Sequence, residues 1–292
     1  MLSFFNDWAV EIDEMSADGN LPGQATEVWR DEKGPLKIAR LFASSHDGYR
    51  IQYATEIAVD VHHGRRMVAT IGAKVSKSSF YHFAADQVLP RVISEEGSLV
   101  LHAGAIRIAN GAVLLMGASG RGKSTLSASF ARSGLTLMGD DAMVLTWVDG
   151  QPCAKAVYPS LRLFPDSIDA LYQNSIDTSE VASDTPKRRI ELPIGDHDHA
   201  APVPIKALYQ IGRPALDDSI SLRPMSIAET CMAIVENSFA LDPSDTARAK
   251  VRLGQASELA RQTVAFEIIY PRVYDRLPDV RQAILEQMAS IS

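Results

Sequence analysis

The sequence predicts an α/β fold in two parts: a small, mainly β unit over residues 1–97 and a larger P-loop α/β domain over 98–292. Three observations carry this prediction. Short apolar runs broken by turn residues fill the first part. The run Gly117-Ala118-Ser119-Gly120-Arg121-Gly122-Lys123-Ser124 then satisfies G-x-x-x-x-G-K-[ST], between the apolar stretch Ala112–Met116 and the helical pattern Thr125–Ser133. Beyond it, strand and helix patterns alternate to the end, as a sheet with crossover helices requires.

In the first part, residues 1–35 are polar and interrupted by Gly19, Pro22, Gly34 and Pro35, with Phe4, Phe5 and Trp8 as docking side chains. Strands are expected at Leu36–Ala43, Tyr49–Thr55, Ile57–Val61 and Met67–Ile71, mostly antiparallel, with His46-Asp47-Gly48 and His62-His63-Gly64 as turns. Arg65 and Arg66 read as a surface turn. A helix over Ser79–Glu96, kinked or divided by Pro90, stops at Gly97, where the domain boundary is placed.

Ser98–Ile108 reads as one long strand, joined to Ala112–Met116 by the two-residue turn Asn110-Gly111. Pairing Ala109 with Ala112 makes opposite residues sum to 221, which puts His102 near Ser119, beside the glycine loop. A helix of about twelve residues runs ~18 Å, and a strand of about five returns ~17 Å. The strand Leu135–Gly139 therefore brings Asp140 and Asp141 back to the loop in a parallel βαβ unit, at the strand end where α/β sheets bind ligands. Met143–Val148 and Ala154–Tyr158 are strands flanking the turn Asp149-Gly150-Gln151-Pro152.

Arg162 is open between a surface charge and a phosphate contact. A helix is expected near Asp166–Tyr172 and a polar loop over 173–186. Lys187-Arg188-Arg189 follows, and reads equally as a phosphate clamp or a solvated edge. Asp196-His197-Asp198-His199 reads as a polar loop ahead of a metal site. Strands at Pro202–Ile211, Ile220–Arg223 and Val264–Tyr270 complete the domain, with helices over 227–239, Ser244–Gln262 and from Leu277 through Met288. Ser226 and Glu229 form a capping-box pattern.

Composition narrows the function classes. With 46% apolar and 22% charged residues among 292, the chain has material for a substantial core. A net charge of −7 argues against a general nucleic-acid or anionic-membrane surface, and no nucleic-acid or membrane partner is expected. No apolar run approaches the ~20 residues of a membrane helix. Cys153 and Cys231 stand far apart without metal spacing and suit a reducing compartment. With no export signal at the N-terminus, a cytoplasmic location is expected.

The loop residues suit a nucleoside triphosphate with a divalent cation. Glycines let backbone N–H groups point at phosphate oxygens, and the helix N-terminus adds positive partial charge. Gly117, Ala118, Ser119, Gly120, Arg121, Gly122, Lys123, Ser124 and Thr125 make the expected ATP-binding set, joined by Lys187 and Arg188 in the clamp reading. Lys123 reaches the outer phosphates and Ser124 ligates Mg²⁺. Of Asp140 and Asp141, one carboxylate can share the metal with Ser124 and the other can accept a proton from an attacking hydroxyl. His102 is open between a satisfied core histidine and a functional one, the register favouring the second.

The run LHAGAIRIANGAVLLMGASGRGKSTLSASFARSGLTLMGDDAMVL resembles the catalytic domain of bacterial HPr kinase/phosphorylase, with phosphoenolpyruvate carboxykinase as a more distant relative in fold. The resemblance covers His102, the glycine loop and Asp140-Asp141 at compatible spacings. It implies ATP, Mg²⁺ and phosphoryl transfer to a serine hydroxyl, with Asp140 as the base and Asp141 as a partner of His102 or of the metal. The family often forms multimers, which leaves a homo-oligomer open. The glycine-rich signature that follows the catalytic core in that family is replaced here by Lys187-Arg188-Arg189. These residues and YPSLRLFPDS are more similar to divergent HPr-kinase-like proteins, some of which phosphorylate the C-terminal serine of a lasso-peptide precursor. The expected substrate is accordingly a serine of a peptide or small protein. Alternatives are an HPr-type regulatory kinase, a small-molecule serine kinase, or a nucleotide-binding module without transfer. The paired aspartates favour transfer, since a binder needs one metal-holding acid.

Overall fold

A computed structural model describes residues 9–14, 24–31, 35–42, 48–54, 56–62, 65–173, 175–182, 185–190 and 201–291. The chain divides into two units: residues 1–96 with 182–184 and 240–249, and residues 97–181, 185–239 and 250–292. Phe4, Phe5, Trp8 and the Asp196–His199 run lie outside the described residues. Among the described residues, no helix is long and apolar enough to cross a membrane.

The first unit is built on β1 (Ala9–Glu14), β2 (Gln24–Arg30), β3 (Leu36–Phe42), β4 (Gly48–Tyr53), β5 (Ile57–His62) and β6 (Arg66–Ile71), in the sheet order β1-β6-β5-β4-β3-β2. β1 and β2 arise from the arm whose polarity hid them, and β1 runs parallel to β6 while the other pairs are antiparallel. Every second residue faces one core: Ile38, Ile51, Val59 and Ala69 are buried there with Phe83, Val88 and Val92. On β4 and β5, Arg50 stands opposite Asp60 and donates to both its carboxyl oxygens at 2.6 Å. The helix expected to kink or divide at Pro90 is three pieces: α1 (Lys77–Phe83), a π-helical segment over Ala84–Val88 and α2 (Leu89–Glu95). Pro90 lies in the first turn of α2, where its missing N–H costs nothing, and the wider π turn comes just before it. Ser76 caps α1 by accepting from the Ser79 N–H at 3.1 Å.

The second unit begins with β7 (Leu99–Leu101), β8 (Ala103–Ile108), β9 (Gly111–Met116), α3 (Lys123–Arg132) and β10 (Leu137–Gly139). β11 (Met143–Val148), β12 (Gln151–Ala156), β13 (Leu161–Leu163), α4 (Pro165–Tyr172), β14 (Thr178–Ala182) and β15 (Thr185–Ile190) follow. β16 (Val203–Ile211), β17 (Ser221–Pro224), α5 (Ile227–Glu236), α6 (Thr246–Gln262), β18 (Val264–Ile269) and α7 (Leu277–Ile291) complete it. The main sheet runs β10-β8-β9-β16-β12-β11-β7, with β18 also on β16 and β17 on β18. β9 is buried along its whole length. Val113 and Leu115 face a core with Leu126 and Phe130 of α3 and Ile284 of α7. Leu114 and Met116 face the opposite core with Ile234 of α5 and Leu259 of α6. Each such fully buried large side chain is worth about 1.5–3 kcal/mol, so the strand that leads into the glycine loop is clamped from both faces.

Three expectations are corrected here. The 98–108 strand breaks at His102: β7 pairs with β11, whereas β8 pairs with β9 and β10. The β8–β9 hairpin pairs Ile108 with Gly111, so opposite residues sum to 219 and the turn is Ala109-Asn110, with Ala109 at φ 49°. Gly111 belongs to the strand because a Cβ there would collide with Lys206 of β16. The 173–186 loop holds β14 and the start of β15, which form a small separate sheet with β13 in the order β13-β15-β14. Their polar residues disguised a strand exposed along one side.

Candidate functional site

The site lies at one edge of the main sheet. β9 and β10 end there and β8 begins there, because β8 is antiparallel to both. β10 returns parallel to β9 at the loop edge, as expected, one strand over and next to β8. The β8–β9 pairing ends at Ala103 opposite Met116, His102 and Gly117 both donate their backbone N–H to Asn237, and Asp140 and Asp141 follow directly after β10. The fold-back therefore brings His102, the loop and the acids to one edge, with β8 between the loop strand and the acids.

Gly117, Gly120 and Gly122 take φ of 149°, 77° and 88°, conformations that glycine adopts without strain. A sequence-silent residue anchors the loop: Asn237, after α5, accepts from the Gly117 N–H at 3.0 Å and donates to Ala233 O at 2.8 Å. Lys123 is buried, and its Nζ donates to Gly117 O at 2.7 Å and Ala118 O at 3.4 Å. Burial lowers its pKa, while Asp140 and Asp141 oppose that shift. The Thr125 hydroxyl meets the Ser167 hydroxyl of α4 at 3.3 Å.

Asp140 is 1% exposed, and neither carboxyl oxygen has a hydrogen-bond partner among the described residues. Burial pushes its pKa up to about 7, and the negative charge of Asp141 adds to the rise; the Ser124 hydroxyl, Arg162 and Lys187 pull the other way. Room for this carboxyl comes from Gly104 on β8. A Cβ at Gly104 would stand 2.5 Å from Ser127 Oγ and 3.2 Å from Asp140 Oδ1. Gly104→Ala is therefore expected to destabilise the fold by about 1–3 kcal/mol, as overpacking does, read from denaturant midpoints.

Asp141 has a different environment. Arg162 of β13 contacts its Oδ2 through Nε at 3.2 Å and through a terminal guanidinium nitrogen at 2.7 Å. Burial alone would raise the Asp141 pKa, but Arg162, His102 and Lys187 together hold it below the ordinary carboxylate value. The Arg162 alternatives left open by sequence resolve to a buried ion pair. His102 donates its backbone N–H to Asn237 O at 2.7 Å, and its ring stacks on Phe239 at 5.9 Å. Burial and then the Lys123 charge lower its pKa to about 4, so the imidazole is neutral at pH 7.

β15 sorts the basic triplet by strand alternation. Lys187 acts electrostatically on His102, Lys123, Asp140 and Asp141, and its ammonium lies 5.2 Å from the Phe164 ring centroid. Arg189 stands opposite Arg162 in the β13–β15 register, on the same side of that small sheet. Arg188 projects the other way and donates to Thr178 Oγ1 at 3.2 Å and Thr178 O at 3.3 Å. Arg188 thus makes a structural tie, whereas Arg189 shares the Arg162 face and its Nε is buried with no hydrogen-bond partner among the described residues. Period-two alternation within Thr185–Ile190 would have chosen Arg189 over Arg188, had the segment been read as a strand.

A hydroxyl and two carboxylates are hard oxygen donors. Magnesium takes one or two carboxylates along with waters and substrate phosphates, and the Ser124 hydroxyl with one carboxylate of the Asp140–Asp141 pair fits such an ion, leaving the other acid free. Among the described residues, no group of three or more His, Cys, Asp or Glu side chains forms a self-sufficient metal cage.

No protein-family model and no curated protein matches the chain. Among solved structures, it is similar to the Hpr(Ser) kinase/phosphatase from Coxiella burnetii, at 12% identity and a TM-score of 0.34, over 66% of this chain and 99% of that one.

Proposed function

We propose that the protein is an ATP-dependent kinase that transfers the γ-phosphoryl group to a serine hydroxyl of a peptide or small protein. The observation that carries this reading is Asp140: a buried carboxyl with a pKa near 7, at the same sheet edge as the glycine loop and Lys123. A general base works best when its pKa lies near the working pH. Asp140 accepts the serine proton. Lys123 leaves its contacts with Gly117 O and Ala118 O for the phosphate oxygens, and the loop amides and the α3 N-terminus hold the remaining charge. Magnesium, when bound through Ser124 and an aspartate, neutralises charge on the phosphates. Arg162 fixes Asp141, and neutral His102 shapes that side of the site without adding charge. The β-rich first unit is the proposed acceptor-docking part, and the lasso-peptide precursor class follows from sequence resemblance.

The test is transfer from ATP labelled in its γ-phosphate to serine-containing peptides, including peptides ending in serine, against free serine and HPr as competing acceptors. Label in a peptide or protein serine, lost on chelating Mg²⁺, is the expected result. Tight ATP binding with no labelled acceptor would instead leave a nucleotide-binding module.

A further inference from the structure

Beyond the residues that handle the transferred group, the opposite flank of the glycine loop carries cationic groups that meet no carboxylate among the described residues. Arg272 follows β18, on the side of β9 away from the acids, since the sheet order is β10-β8-β9-β16 with β18 on β16. Its guanidinium lies over the Tyr270 ring at 3.8 Å, and a terminal nitrogen donates to Gly212 O at 3.0 Å. Both side chains abut the loop: a Cβ built on Gly122 would lie 3.5 Å from the Tyr270 hydroxyl and 3.9 Å from Arg272 Cδ. Gly122 is the cap residue of α3, so Arg272 stands beside the helix N-terminus.

Two facts mark Arg272 as built for a ligand. The other terminal nitrogen, NH1, is buried and has no hydrogen-bond partner among the described residues. Leaving a buried donor unmet is costly, most of all for a charged group. The charge is also unbalanced: Arg121 of the loop repels Arg272, and among the described residues neither has a carboxylate in an ion pair. An anion arriving at the loop would relieve both.

We propose that Arg272 binds the phosphates upstream of the transferred group, on the flank remote from Asp140. This rests on the nucleotide-binding reading above. ATP and ADP share those phosphates, so Arg272→Ala should weaken both to a similar degree, by about 10–100-fold, as for the loss of a charge-assisted hydrogen bond. Arg272→Gln keeps a donor for Gly212 O but loses the charge, and should lose affinity as Arg272→Ala does. Arg272→Lys should recover part of it.

The measurement is equilibrium titration of ATP and ADP, with thermal midpoints recorded for each variant. Unchanged affinities in Arg272→Ala and Arg272→Gln would overturn the proposal, as would a loss confined to ATP, which would move the contact to the terminal phosphate. If the wild-type protein bound neither nucleotide, the parent reading would fall too. Wild-type binding with unaffected variants would sink this inference alone.

Discussion

Asp140→Asn should lower phosphoryl transfer by about 10²–10⁴-fold, the range for loss of a positioned general base, while ATP affinity changes only a few-fold. The substitution keeps the shape and removes the proton acceptor. Wild-type transfer should rise with pH through about 7, where the buried carboxyl loses its proton, and the residual rate of the variant should lack that inflection. The same variant should be the more stable protein at high pH. The folded-state pKa of Asp140, about 7, lies above its ordinary value of 3.8. The folded chain therefore holds a proton that the unfolded chain has released, and stability falls as pH rises across that window. At 1.36 kcal/mol per pKa unit the effect is at most about 4 kcal/mol. Urea midpoints at pH 5 and pH 8, without nucleotide or metal, should diverge in the wild type and converge in Asp140→Asn. A variant with unimpaired transfer would remove Asp140 from the chemistry.

The behaviour of Asp140 shows what was legible in sequence. The glycine loop, the helix after it and the two acids could be read because each rests on local grammar: a phosphate-loop spacing, an apolar run, a short strand ending in carboxylates. The return of the chain to the loop edge followed from element lengths alone. Which strand it returned beside did not, since β8 interposes through a long-range pairing that length arithmetic does not see. The hairpin register slipped for a related reason. Asn110-Gly111 is a strong local turn signal, but Gly111 serves close approach to β16, and the turn moved to Ala109-Asn110. Asn237 and Arg272 gave no signal, because each acts on the loop from more than a hundred residues away. Nothing local separates Arg188 from Arg189 in sequence; the pairing of β15 with β13 does, by setting Arg189 opposite Arg162.

The ion pair of Asp141 with Arg162 sets the electrostatics around Asp140, and its removal should have the largest effect on stability. Arg162→Leu fills most of the same space but leaves a carboxylate whose side chain is 15% exposed without its cation. Breaking a buried pair from one side typically costs about 3–5 kcal/mol, because the remaining charge stays desolvated. The loss should depend on pH. In the wild type, Arg162 holds the Asp141 pKa below its ordinary value, so this stabilisation is full above that value and fades as pH falls through the lower, folded-state one. In Arg162→Leu, burial acts with less opposition, and the carboxyl is spared its cost only when protonated. The deficit against wild type should therefore be greatest near pH 8 and shrink toward pH 4. Adding Asp141→Asn to Arg162→Leu should recover much of the lost stability, which a double-mutant cycle in urea would measure. Strictly additive losses, or a deficit that does not vary with pH, would mean that Arg162 supports the site through packing and not through its charge on Asp141.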